Sequence, residues 1–188
     1  MTLSAPSWTA LYQTADLQAG HVTTRQAADA GYSPQLIHKH LASGRLVRVH
    51  RGIYRLVHYP SSDLEDLVVH WLWSGHEGVL SHETALFLHE LSDVLPDTVT
   101  MTVPTSWRRR RLSVPEGLRL EYADLDGVDR AWHGPIPVTT PLRTLVDVHA
   151  ASISPEHVER AAADGVARGL FTEGEVGAIL AADHGAPR

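Results

Sequence analysis

Four arginines lie between positions 45 and 55 of the chain, and together they could neutralise phosphate groups. They are Arg45, Arg48, Arg51 and Arg55. A guanidinium presents a planar fork of N–H donors that matches the oxygens of a phosphate. Basic side chains clustered on one short segment are a typical footprint of nucleic-acid binding. The segment is therefore a candidate contact for a nucleic-acid backbone.

The charge of the chain is divided unequally. Residues 1–60 contain six basic and two acidic side chains, a net charge of +4, whereas the remainder contains ten basic and twenty acidic ones, a net charge of −10. The overall charge of −6 hides this difference. Such asymmetry indicates contact with nucleic acid at one end only. It also favours two domains, which we predict at residues 1–60 and 61–188 with a proline-containing linker at 58–62.

Residues 20–56 predict the elements that would position the arginines. Thr23 and Gln26 have the spacing of a capping box at the start of a helix, and Gly31 can end that helix. Ser33 and Pro34 are typical of the cap and first position of a second helix. We therefore predict a helix, a short turn and a second helix.

The second helix has a polar outward face, and a basic hairpin follows it. Leu36, Ile37, His40 and Leu41 repeat at the spacing of a buried face, and Gly44 ends the helix. Residues 46–50 and 53–56 alternate as paired strands do, with a turn at Arg51-Gly52. This pattern predicts a winged helix-turn-helix. The predicted DNA-contact residues are Arg25, Ser33, Gln35, His38, Lys39, Arg45, Arg48, Arg51 and Arg55. The alternative is a small helical domain whose arginines only keep it soluble.

The second half of the chain predicts a mixed α/β domain, so that the fold class is α+β. Three strands are predicted at 98–103, 118–122 and 135–138, as a small sheet flanked by helices. The predicted helices are at 63–73, from 81, from Thr140-Pro141 to 150, from Ser154-Pro155, and from the Thr172/Glu175 capping box.

Several motifs in this order resemble the AbiEi-type antitoxins of bacterial type IV toxin-antitoxin and abortive-infection systems. The motifs are G-x-L-x-R-V-x-R-G-x-Y at 44–54, LSHETAL at 80–86 with His89 and Leu91, VTMTVP at 99–104 and PVTTPLRTLVD at 137–147. The resemblance implies an N-terminal winged domain that represses its own operon by binding inverted repeats in its promoter. It also implies a C-terminal domain that neutralises a nucleotidyltransferase toxin, without requiring a stable complex.

Two groups of residues could suggest catalysis or metal binding, but the surrounding sequence or the spacing argues against each of them. Asp124 and Asp126 could share magnesium as in a nucleotidyltransferase, but no Gly-Ser turn precedes them, and a solvated loop explains them better. His82, Glu83 and His89 lack the one-turn spacing of a helical His-x-x-x-His metal pair, and we expect His89 to be a hydrogen-bonded interior histidine. The chain has no cysteine, and it has no nucleophile elbow and no phosphate-binding glycine loop. No catalytic residue, metal or cofactor is predicted, and an enzyme is not expected.

Two features of the second half involve arginine. Arg108, Arg109, Arg110 and Arg111 are consecutive, and they are either a solvated loop or a second contact to nucleic acid or an acidic partner. Arg143 and Asp147 are one helical turn apart, which predicts a structural ion pair.

The sequence thus predicts a transcriptional repressor and antitoxin located in the cytoplasm. No run approaches the roughly 18 apolar residues that a membrane span needs, and residues 1–13 lack the features of a secretory signal. Its partners would be double-stranded DNA and, functionally, the toxin, with no membrane contact. The alternatives are a regulator without a toxin, a protein-interaction module that binds no DNA, and, third, an RNA-directed enzyme.

Overall fold

A computed structural model describes residues 5–93, 95–151 and 154–181, and the remaining positions of both predicted domains lie outside the described residues. The chain divides into two compact units, residues 1–77 with 134–136 and residues 78–133 with 137–188. The structure is mixed α and β, with eight α-helices and two sheets in its described part. Within the described residues, no helix is long and apolar enough to cross a membrane.

The first unit combines four helices with a three-stranded antiparallel sheet of order β1-β3-β2. Its helices are α1 (Trp8–Asp16), α2 (Thr24–Asp29), α3 (Pro34–Ala42) and α4 (Glu65–Trp73). Its strands are β1 (His21–Thr23), β2 (Leu46–His50) and β3 (Ile53–Leu56). The predicted hairpin is confirmed at both strands, whereas β1 was not predicted because three residues are too few to show an alternating pattern.

Local capping sets the start and end of the predicted helix pair. The Thr23 side chain accepts a hydrogen bond from the Gln26 backbone N–H at 3.2 Å, and the Gln26 Oε1 accepts one from the Thr23 backbone N–H at 2.8 Å. Gly31 has φ of 86°, in the left-handed region that glycine adopts at helix ends. The Ser33 side chain accepts a bond from the Leu36 N–H at 3.2 Å and so caps α3. These predictions are confirmed.

A small apolar core fixes α3 against the rest of the first unit. Ile37 is buried from α3, Leu11 and Ala15 from α1, and Leu46 and Leu56 from the hairpin. Ile37 on the inward face of α3 therefore packs as the helical spacing predicts, whereas Trp8 and Tyr12 of α1, which the spacing of α1 also favours as core residues, are exposed. The opposite face of α3 is left exposed.

Helix α4 belongs to the first unit, although the predicted boundary after Pro60 assigned it to the second domain. Arg55 on β3 explains this difference, because its guanidinium pairs with both carboxylate oxygens of Glu65 at the start of α4. The two distances are 2.9 Å from Nε to Oε2 and 2.7 Å from Nη2 to Oε1. A tertiary ion pair of this kind leaves no pattern in the sequence.

The second unit is built on a five-stranded mixed sheet of order β6-β5-β4-β8-β7. Strand β4 pairs antiparallel with β5 and parallel with β8, and β5 pairs parallel with β6. The strands are β4 (Val79–Leu80), β5 (Val99–Val103), β6 (Leu118–Tyr122), β7 (Arg130–His133) and β8 (Ile136–Thr139). The three predicted strands correspond to β5, β6 and β8, while the short β4 and β7 were missed.

Four helices accompany this sheet, and one apolar cluster joins them. They are α5 (His82–Leu88), α6 (Pro141–Ala150), α7 (Pro155–Ala167) and α8 (Glu173–Ala181). The cluster includes Leu86 of α5, Leu145 of α6, Ala161 of α7 and the buried Phe171 before α8. The capping box at Thr172 and Glu175 is confirmed by three hydrogen bonds of 2.7 to 3.2 Å.

Candidate nucleic-acid interface

Helix α3 presents a polar outward face. Gln35, His38 and Lys39 are exposed, and Ile37 on the opposite face is 4% exposed. Ser33 is half-buried, and its hydroxyl oxygen accepts the capping hydrogen bond from the Leu36 N–H. The outward side chains combine donors and acceptors, which is the chemistry that reads base edges.

The turn of the β2–β3 hairpin is basic and open to solvent. Arg48 and Arg51 are both exposed, and with Val49 and His50 they line a depression of about 480 Å³. The strand register shifts between Arg48 and His50, next to the turn at Gly52. The hairpin thus presents two guanidinium groups that make no ion pair within the described part of the chain. Two such donors side by side can neutralise neighbouring phosphates.

Arg55 differs from the other predicted contact residues, and its placement argues against its inclusion in the DNA-contact set. It lies near the far end of β3, opposite His21 and Val47, and its side chain is 14% exposed. Besides Glu65, it donates to the carbonyl oxygens of Leu56 at 3.1 Å and Tyr59 at 3.0 Å. Its donors are therefore committed inside the first unit, and we remove it from the candidate interface.

The remaining basic residues of the set, Arg25 on α2 and Arg45 before β2, are exposed. The Arg45 backbone N–H donates to the His40 carbonyl oxygen at 3.0 Å, and this bond holds Arg45 next to the C-terminal end of α3. Seven of the nine predicted residues are thus exposed on the first unit, with Ser33 and Arg55 as the exceptions.

An aromatic cluster supports α3 from its inner side, where the helical spacing places His40. The His40 ring lies 5.4 Å from the Trp8 ring and 5.5 Å from the Tyr32 ring, centroid to centroid. Burial lowers the pKa of His40, and the nearby charges of Arg45 and Lys39 lower it further. Burial therefore favours the neutral form of this imidazole. The cluster packs α3 against Tyr32 and Trp8, with Tyr32 buried and Trp8 at the surface.

The arginine run of the second unit is exposed at all four positions, Arg108 to Arg111. The Arg108 guanidinium lies 5.0 Å from the centroid of the Tyr122 ring, and that of Arg110 lies 4.3 Å from the Trp107 ring. Cation–π contacts of this kind hold guanidinium groups in place while their edges stay solvated. Arg108 and Arg110 thus pack on aromatic rings while all four arginines stay exposed.

The other sequence candidates have structural partners. Asp124 accepts hydrogen bonds from the backbone N–H and hydroxyl of Thr105 at 3.0 and 2.6 Å, while Asp126 caps the 3₁₀ helix Gly127–Asp129. His89 contacts the carbonyl oxygen of Thr139 at 2.7 Å through Nε2, as expected for a hydrogen-bonded histidine. Among the described residues, no group of three His, Cys, Asp or Glu side chains could hold a metal ion.

The predicted pair of Arg143 and Asp147 is confirmed, with 2.8 Å between Nε and Oδ1. Arg143 also pairs with Asp129 through Nη1 at 3.0 Å. The second partner is remote in sequence, and the sequence did not indicate it.

The chain is similar to a solved structure and to a protein family. The crystal structure of the RV2827C protein from Mycobacterium tuberculosis is similar with a TM-score of 0.52 and 16% identity, covering 99% of this chain and 85% of that chain. At this identity the likeness shows the fold alone. No curated protein sequence matches the chain significantly. Over residues 10–57, the chain matches the family described as "Transcriptional regulator, AbiEi antitoxin", which confirms the predicted resemblance to AbiEi antitoxins.

Proposed function

We propose that this protein is a DNA-binding transcriptional autorepressor and the antitoxin of a type IV toxin-antitoxin system. The observation that carries the proposal is the set of exposed side chains on α3 and the β2–β3 hairpin, within the segment that matches the family. The proposed contact residues are Arg25, Gln35, His38, Lys39, Arg45, Arg48 and Arg51. The family match supports a regulator at the level of the first unit.

In this proposal the first unit acts as a winged helix-turn-helix. Helix α3 would enter the major groove, where Gln35, His38 and Lys39 reach base edges. The hairpin would act as the wing, with Arg48 and Arg51 on phosphates. The order of α2, turn, α3 and hairpin supports this docking, as does the apolar core that leaves the outward face of α3 free.

The second unit would carry the neutralisation of a nucleotidyltransferase toxin, by a route that needs no stable complex. Residues 61–188 carry a net charge of −10 against +4 for residues 1–60, and the second unit is built on a five-stranded mixed sheet. We propose that the protein acts in the cytoplasm, that it has no catalytic role, and that its operator is an inverted repeat in its own promoter. Arg108 to Arg111 are proposed as a second contact to DNA backbone or to an acidic partner.

Binding to the promoter DNA tests the first part of the proposal. Each phosphate contact contributes about 0.9 to the slope of log affinity against log salt concentration. Arg51→Ala should therefore weaken binding to every DNA sequence and reduce that slope by about 0.9, measured by fluorescence anisotropy at several salt concentrations. An unchanged slope would show that the hairpin does not contact phosphate.

Base reading by α3 has a separate signature. Gln35→Ala or Lys39→Ala should cost roughly 1 to 3 kcal/mol on the operator while changing non-specific binding much less. Footprinting upstream of the operon checks this expectation, with Thr9→Ala, at an exposed position of α1, as the surface control. Equal losses on operator and random DNA would contradict it.

Co-expression with the adjacent toxin separates repression from neutralisation. The full chain with Lys39→Ala and Arg51→Ala should lose repression but still rescue growth when both genes are driven by foreign promoters. If this double variant fails to rescue while it remains folded, the DNA-contact residues of the first unit are themselves needed for neutralisation, and the second unit does not carry it alone. A genome that holds no neighbouring toxin gene would favour the second candidate, a regulator without a toxin.

A further inference from the structure

The first unit contains a pocket to which the proposed function assigns no ligand. Its volume is about 400 Å³, and sites for small molecules usually measure roughly 300 to 1,000 Å³. Three of its lining residues are aromatic, one is an arginine, and none of those described is acidic. The lining consists of Trp8, Tyr12, Arg45, Leu56, His58 and Tyr59. The pocket therefore combines aromatic walls with a positive charge.

The aromatic walls are accessible to a ligand. Trp8 and Tyr12 are 38% and 43% exposed, and they lie on one side of α1 because they are one helical turn apart. The Tyr12 and Tyr59 rings are 6.1 Å apart, centroid to centroid, and their planes meet at 51°. Large apolar side chains that are exposed together are typical of binding sites, since their burial by a ligand removes apolar surface from water.

Contacts within the first unit hold the walls of the pocket in place. The Tyr59 ring packs on Gly20, where a Cβ would lie 2.6 Å from it, and its hydroxyl donates to Asp16 Oδ1 at 3.0 Å. The Val57 backbone N–H donates to the Arg45 carbonyl oxygen at 3.1 Å and joins the two sides of the pocket. A site whose walls are fixed in advance loses less entropy when it binds a ligand.

Arg45 supplies a positive charge that is free to pair. It is exposed, and its guanidinium makes no ion pair or hydrogen bond within the described part of the chain. Its charge lies close to the aromatic residues, because it lowers the pKa of His40 in addition to the larger effect of burial, and the His40 ring is 5.4 Å from the Trp8 ring. A guanidinium pairs with a carboxylate through two parallel hydrogen bonds. The pocket thus favours an anion.

We propose that this pocket binds a planar aromatic carboxylate. The carboxylate would accept hydrogen bonds from Arg45, and the ring system would contact Trp8, Tyr12 and Tyr59. A fused pair of rings fits the volume. The pocket lies within the first unit, and binding of the ligand does not depend on DNA binding.

Titration calorimetry of the full chain with 2-naphthoate and with 2-naphthamide tests the proposal. The two probes share their rings and differ in charge. The parent protein should bind 2-naphthoate saturably and at least tenfold more tightly than 2-naphthamide. Arg45→Gln should remove this preference without changing the affinity for the amide, whereas Arg160→Gln, at an exposed position of α7, is the control and should bind both probes as the parent does. Absence of saturable 2-naphthoate binding, or equal binding of both probes by the parent, would overturn the proposal.

A second variant locates the ligand on the aromatic wall. Tyr12→Ala should weaken binding of both probes at least tenfold, because it removes one ring from the pocket. The matched control is Leu17→Ala, since Leu17 is 75% exposed at the end of α1 and does not line the pocket. If Tyr12→Ala binds 2-naphthoate as tightly as Leu17→Ala, the ligand lies elsewhere. Sedimentation velocity tests a second copy of the chain as the occupant, and a dimer that Tyr12→Ala dissociates and that excludes 2-naphthoate would overturn the proposal.

The ligand should also compete with DNA for Arg45, a consequence that rests on the proposed function. A guanidinium paired with the carboxylate is not available to a phosphate, so saturating 2-naphthoate should lower the salt slope of DNA binding by about 0.9 in the parent and not in Arg45→Gln. An unchanged slope in the parent would overturn the competition. A protein that binds 2-naphthoate as expected but no DNA would confirm the site and refute the proposed function.

Discussion

The ion pair between Arg55 and Glu65 predicts that one arginine of the basic segment acts in stability and not in DNA binding. Arg55→Ala removes two charged hydrogen bonds to Glu65 and two bonds to backbone carbonyls. Exposed ion pairs contribute about 0 to 1 kcal/mol, whereas breaking a buried pair costs about 3 to 5 kcal/mol. The side chains of Arg55 and Glu65 are 14% and 26% exposed, between these limits. We therefore expect a loss of about 2 kcal/mol in the free energy of unfolding.

Urea unfolding followed by circular dichroism measures this loss as a shift of the midpoint. Arg48→Ala is the matched control, because Arg48 is exposed on the neighbouring strand, and its free energy of unfolding should change by less than about 0.5 kcal/mol. The salt slope of DNA binding should behave in the opposite way, falling by about 0.9 for Arg48→Ala and staying unchanged for Arg55→Ala. An Arg55→Ala protein of normal stability with a reduced salt slope would refute the reasoning.

The same pair predicts a dependence of stability on pH. The hydrogen bond from Arg55 lowers the pKa of Glu65 from its ordinary 4.5, despite a smaller raising effect of burial. A carboxyl whose pKa is lowered by folding contributes stability above its unfolded-state pKa. This contribution should disappear as the pH falls below 4.5 through the lowered value. Arg55→Ala should flatten this part of the stability profile, and a profile that does not change would contradict the pairing.

Two further predictions concern packing and histidine burial in the described residues. Gly165→Ala should destabilise the protein by about 1 to 3 kcal/mol, because a Cβ there would lie 2.0 Å from the Phe171 Cζ. A Cβ at Gly177 would meet no atom within 4 Å, so that Gly177→Ala should stabilise the protein by up to about 1 kcal/mol. Thermal melting of both variants checks the contrast, and a stabilised Gly165→Ala protein would contradict the packing. Burial lowers the pKa of His21 and of His89, so that the unfolded chain binds protons more readily below pH 6.5. Stability should therefore fall as the pH is lowered from about 7.5 to 5.5, and a melting temperature that rises over this range would show that these rings are not buried in neutral form.

The sequence determined the local elements on which the candidate interface depends. Helix caps at Thr23, Ser33 and Thr140 were predicted and are present. In each cap the side-chain oxygen accepts a hydrogen bond from the backbone N–H three residues later, and such a bond depends only on local geometry. The β2 and β3 hairpin was predicted for the same reason, since alternation and a turn glycine are adjacent in the chain. The exposed face of α3 followed from helical spacing.

Only the tertiary structure decided which arginines are free and where the first unit ends. Arg55 and Arg51 are alike in sequence terms, yet one is paired with Glu65 on α4 and the other is exposed. That difference depends on how α4 packs on β3, and a contact between distant elements has no periodic signal in the sequence. The pocket beside Arg45 is of the same kind, because α1, Arg45 and the end of β3 meet around it only after the chain has folded.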